Sequence, residues 1–121
     1  MSNLNDLTAQ EVYDIVKSHL LAQGKPSFDR DQDCAYRGSG DTSCAVGCLI
    51  PEDQYTLRME GLSVDQLCVN QTRFTLAPSL VEFLSAHQKL LTDLQMVHDA
   101  KDASLWPSSL TEVAIEHGLI P

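Results

Sequence analysis

Three of the four cysteines, Cys34, Cys44 and Cys48, fall within the stretch Asp33 to Gly61, DCAYRGSGDTSCAVGCLIPEDQYTLRMEG. Joined by one of His87, His98 or His117 they would make a Cys3His set, which suits zinc because that ion takes thiolate and imidazole in a tetrahedron. The spacing weighs against it. The cysteines follow as C-x9-C and C-x3-C, without the close pairs of a zinc knuckle. If the chain around Cys44 and Cys48 is extended, the two lie about 13 Å apart at the usual strand rise, too far for one ion. If it is helical, they lie one turn apart on the same side. Reduced cysteines also serve as small buried hydrophobes, and that use requires no ligand at all.

A nucleophilic thiol would need an electropositive setting to favour the thiolate. Here the sequence supplies Arg37 in a chain that is otherwise acidic, with no G-x-S-x-G or papain-like pattern. Gly38-Ser39-Gly40-Asp41-Thr42 is not a phosphate loop. Its glycines are spaced only G-x-G, no lysine follows, and Asp41 would repel a phosphate. Turn chemistry accounts for it. His87 and His98 stand three helical turns apart, about 16 Å along an axis, so they cannot hold one metal together. Like His19 and His117, they read as hydrogen-bonded histidines at the edge of a core. Glu60, beside Gly61 at an expected helix C-terminus, meets an unfavourable dipole there. It therefore calls for a partner, and Arg37 is the nearest candidate.

The elements that must position these groups are mostly helices. Leu7 to Gly24 carries a T-x-x-E capping box (Thr8, Glu11) and a stripe of Val12, Ile15, Val16, His19 and Leu20, with Gly24 and Pro26 to stop it. Lys25 to Asp33 is a polar surface connector anchored by Phe28. Cys34 to Arg37 and Ser43 to Ile50 read as two strands joined by the glycine turn, a hairpin with Cys44, Val46 and Cys48 on one face. A short helix over Ser43 to Ile50 competes, but Gly47 and the β-branched Val46 and Ile50 favour the hairpin. Pro51 to Met59 predicts a short helix carrying Tyr55 and Met59 on one face. Ser63 with Gln66 caps another, Val64 to Asn70. From Pro78 to Asp99 one stripe (Leu80, Phe83, Leu84, His87, Leu90, Leu91, Leu94, Val97, His98) predicts a single long central helix. After Trp106 and Pro107, Ser109 with Glu112 predicts a third capping box on a final helix that ends at Gly118.

The bulk properties bound the function. With 121 residues, 43% apolar and 21% charged, the expectation is one domain, residues 1–121. No apolar run is long enough to span a bilayer, and the N-terminus lacks a basic region followed by an apolar one. A cytoplasmic location with reduced cysteines is therefore expected. A formal charge of −9, from 17 acids against 8 bases, excludes a nonspecific nucleic-acid or membrane-surface binder, which needs clustered Lys and Arg. It suits docking on a protein with a basic surface. It also keeps a protein soluble whatever its partners.

The string C-A-Y-R, then C-A-V-G-C-L-I-P, then Tyr55 and M-E-G, resembles small proteins of tailed phages, prophages and bacterial genomes. They share a C-x-Y-R … C-A-x-G-C-L-I-P … Y … M-E-G pattern and mostly carry no assigned function. The likeness covers Cys34 to Val64, about a quarter of the chain. It implies that Cys34, Tyr36, Arg37, Cys44, Gly47, Cys48, Tyr55 and Glu60 form one structural unit, in a phage or mobile-element context.

The expected fold is an α+β domain, mostly helical, with one small antiparallel hairpin over about residues 34–50 packed on four or five helices. The function expected is a non-enzymatic interaction protein, a modulator or inhibitor of a basic host protein, with no cofactor. The alternative is a zinc-binding or reactive-thiol protein using Cys34, Cys44 and Cys48.

Overall fold

Thr8 opens the first helix as its sequence dictates: its hydroxyl accepts the Glu11 amide, and the Glu11 carboxylate accepts the Thr8 amide. The computed structural model describes residues 4–31, 33–69, 77–100 and 102–121. Helix α1 runs Ala9–Gln23 and ends on Gly24 in the left-handed conformation, φ 68°. Strands β1 (Arg37–Gly38) and β2 (Thr42–Ser43) follow, then helices α2 (Val64–Val69), α3 (Pro78–Ala86), α4 (Gln88–Asp99) and α5 (Trp106–Glu116). The result is a mostly helical α+β fold whose one sheet, among the described residues, is the antiparallel β1–β2 pair. Among the described residues no helix is long and apolar enough to cross a membrane.

The core lies between α1, α4 and α5. Tyr13, Leu20, Leu91, Leu94, Trp106 and Leu110 are fully buried, and each such aliphatic or aromatic side chain contributes about 2 kcal/mol by leaving water. The Tyr13 hydroxyl donates to the Leu110 carbonyl at 3.0 Å, so this polar group enters the core with a partner. The second capping box also forms: Ser63 Oγ accepts the Gln66 amide, and Gln66 Oε1 accepts the Ser63 amide. The expected end of that helix, Asn70, lies outside the described residues.

Several expectations need correction. The hairpin is far shorter than residues 34–50, pairing only Arg37 with Ser43 and Gly38 with Thr42. Beyond β2 the chain coils instead of extending: the Cys48 amide reaches the Cys44 carbonyl, and Gly47–Leu49 form a 3-10 turn. The expected helix after Pro51 is two separate 3-10 turns, Glu52–Gln54 and Leu57–Met59. The long helix breaks at His87, whose φ of −117° and ψ of 22° separate α3 from α4. The capping box at Ser109 does not exist, because α5 starts earlier, with Trp106 buried and Pro107 in the first turn. Pro fits there because the first-turn N–H has no helical acceptor anyway.

The connector between α1 and β1 is anchored by Ser27 as well as by the expected Phe28: Phe28 is half-buried and Ser27 is fully buried. A single bridge between Phe28 and Cys34 closes the loop, and the Ala35 amide donates to the Ser27 carbonyl at 3.0 Å.

Candidate functional site

Glu60 is the hub of the cysteine-glycine element. One carboxylate oxygen accepts the Tyr36 amide at 2.8 Å; the other accepts the Arg37 amide at 3.0 Å and the Tyr55 hydroxyl at 2.5 Å. An ionised carboxylate is the strongest acceptor a side chain offers, so three converging donors fix β1 against the Leu57–Met59 turn. The expected Arg37–Glu60 ion pair is not what forms. The Arg37 guanidinium instead donates to the Ile50 carbonyl at 2.9 Å and lies 4.9 Å over the Tyr55 ring, a cation–π contact. Burial, and then the neighbouring Glu60 carboxylate, push the Tyr55 phenol up. Burial does the same to Tyr36, whose hydroxyl donates to the Leu62 carbonyl at 2.5 Å.

Gly47 is fixed by close approach. A Cβ at this position would stand 2.1 Å from the Tyr36 carbonyl oxygen, so only glycine allows the coil after β2 to seat on β1. The coil brings Cys44 and Cys48 one turn apart, but their sulfurs have separate duties. Cys44 Sγ accepts the Gly47 amide at 3.2 Å, and Cys48 Sγ donates to the Ala45 carbonyl at 3.1 Å. Burial pushes both thiols up to about 12. At neutral pH they are protonated and therefore poor nucleophiles. None of the four cysteines is in a disulfide.

The structure groups Cys34 with His98 and Asp99 rather than with Cys44 and Cys48. One ligand atom from each lies within 4.8 Å of the others. His98 is fully buried and its Nε2 accepts the Ser27 amide at 2.8 Å. An acceptor Nε2 places the neutral ring's proton on Nδ1, which faces Asp99 Oδ1 at 3.0 Å and donates to it. A metal on Nδ1 would require a ring stripped of both protons, so the grouping fits zinc poorly. Asp99 also takes hydrogen bonds from Cys34 and from Gln95. Partial burial pushes its carboxyl up, but those three donors outweigh burial and hold it below the ordinary range. The His98 ring stacks on Trp106, centroids 5.8 Å apart, which ties the connector to α5.

The other histidines also have structural partners. His19 Nε2 lies 2.8 Å from the Ser43 carbonyl, His117 Nε2 lies 2.8 Å from Asp93, and the His87 ring packs 5.1 Å from Phe83. Three further residues hold the element without any sequence signal. Gln23 brackets Ser43 through both its amide and its carbonyl, at 3.0 and 2.9 Å. Gln95 accepts the Val46 amide at 3.1 Å, and Ser27 aims its own amide at His98. Such contacts depend on tertiary placement, which no local spacing encodes.

The described residues also present surfaces open to a ligand. Every acid except Glu60 and Asp93 is exposed. A cleft of about 350 Å³ opens between the cysteine element, the turn at Gly61–Ser63 and α4. The chain matches no protein-family model, no curated protein and no solved structure.

Proposed function

We propose that this chain is a non-enzymatic interaction protein that presents its acidic surface to a basic protein partner. In the phage or mobile-element setting that the motif resemblance suggests, that partner is a host protein which the chain modulates or inhibits. The observation that carries this reading is the fate of the motif side chains. Glu60, Arg37, Tyr36, Cys44 and Cys48 each end on a backbone group of the same fold unit. Groups engaged in this way brace a scaffold, and the charge that is left faces water. Charge complementarity of this kind steers association and selects partners.

The zinc or thiol alternative keeps one specific observation, the proximity of Cys34, His98 and Asp99. The hydrogen bond from the Ser27 amide to His98 counts against it.

The test is affinity capture from host lysate with the native chain and with an Asp29→Asn/Asp31→Asn/Asp33→Asn variant. The reading expects a basic protein, retained by the native chain and lost with the variant or with added salt. Turnover abolished by Glu60→Gln in a folded chain would contradict it.

A further inference from the structure

The cleft has a chemistry of its own. Its walls include the apolar Leu62, Val64 and Met96, and Cys34 and the buried Cys44 also belong to its lining. Met96 is 66% exposed, an unbranched thioether left in water on the outer side of α4. Such a side chain adapts its shape to whatever packs on it. Two carboxylates, Asp65 and Asp99, share the lining, and among the described residues that line the cleft none is basic. The Asp99 side chain keeps 45% of its exposure, so it is reachable from solvent.

An anion would meet two carboxylates, and a wholly apolar ligand would strip water from charge that hydrogen bonds from Gln88 on Asp65, and from His98, Gln95 and Cys34 on Asp99, do not neutralise. The complement of an aliphatic wall next to a carboxylate is an alkyl stem that ends in a cation. We infer that this cleft seats an arginine or lysine side chain offered by a protein partner, its stem along Leu62 and Met96 and its charge on Asp99. This inference rests on the interaction reading above and names where on the acidic surface the partner is gripped.

The experiment is methyl and amide NMR of the full chain, titrated with N-acetyl-arginine methylamide and with its neutral citrulline analogue. The expected result is a saturable shift of the Met96 methyl and the Gln95 amide. The citrulline analogue, and the arginine probe on Asp99→Asn or Asp65→Asn, should each bind roughly fivefold more weakly, while Asp53→Asn, which does not line the cleft, should leave binding unchanged. Asparagine can still accept the His98 and Gln88 hydrogen bonds, and two variants guard against one failing to fold. An absent or unsaturable shift overturns the inference, as does equal weakening by Asp53→Asn. A captured basic partner that holds Asp99→Asn and Asp65→Asn as tightly as the native chain would overturn the cleft alone. The proposed function would then stand on the rest of the acidic surface.

Discussion

Glu60 holds Arg37 by its backbone and not by its charge: the carboxylate accepts the Arg37 amide at 3.0 Å while the guanidinium turns away to the Ile50 carbonyl. The same carboxylate takes the amide of the preceding residue and the Tyr55 hydroxyl. Removing its charge weakens all three bonds and leaves one amide facing an NH2 group. Glu60→Gln should therefore lower stability by about 2 kcal/mol, within the range for a partly buried charged acceptor. Urea denaturation measures it; a change within experimental error would show that Glu60 is not the hub.

Gly47→Ala is the steric counterpart. The added carbon would lie 2.1 Å from the Tyr36 carbonyl oxygen, a backbone atom that cannot rotate away. A loss of about 3 kcal/mol is expected, from forced movement of β1 against the coil. Thermal unfolding reads this directly. A neutral substitution would mean that the coil does not rest on Tyr36.

Much of the helical frame was legible in the sequence, because capping boxes are local. Thr8 with Glu11 and Ser63 with Gln66 both formed as spaced. Ser109 with Glu112 had the same spacing but lost to Trp106, whose burial carries the helix start upstream to Trp106 itself. The break at His87 was invisible for a different reason. Leu80, Leu84, Leu91 and His98 keep one helical register through it, so periodicity cannot detect it. Around the site, the demand of Glu60 for a partner was legible, but not which atoms of Arg37 would answer it. At Cys44–Cys48 the sequence suits a coil and a strand alike, because eight residues carry too little pattern to choose. Asp99, Ser27 and Gln95 gave no signal, since their roles arise only when α4 meets the connector and the coil.

Cys44 and Cys48 should resist alkylation. With both thiols pushed up to about 12, thiolate is scarce at pH 8, and the sulfurs are sheltered as well. Iodoacetamide labelling followed by mass spectrometry should find both at least 100-fold slower than an unstructured cysteine, becoming fast only on unfolding. Rapid labelling of either in the native chain would revive the reactive-thiol alternative.

Asp93 should make stability depend on acid. Partial burial pushes its carboxyl up, but hydrogen bonds from His117 and Lys89 outweigh that and hold it below its ordinary value of 3.8. A carboxyl lowered in the folded chain contributes stability that is present above the unfolded value. It is lost as pH falls through the folded one. The stability gap between the native chain and Asp93→Asn should therefore be full near about pH 6 and shrink toward about pH 2. Urea unfolding across that range reads the gap. A gap that stays constant or widens in acid would remove the role given to Asp93.

The central claim is that the cysteine-glycine element braces the fold while the acidic surface does the binding. Its most direct test is the affinity of the native chain for its captured partner, followed as salt is raised. The account predicts that binding weakens by roughly tenfold between about 50 and 300 mM salt, as screening shortens the reach of surface charge. Glu60→Gln, kept below its unfolding temperature, should bind as tightly as the native chain. An affinity indifferent to salt but abolished by Glu60→Gln would contradict the account and place the function in the motif itself.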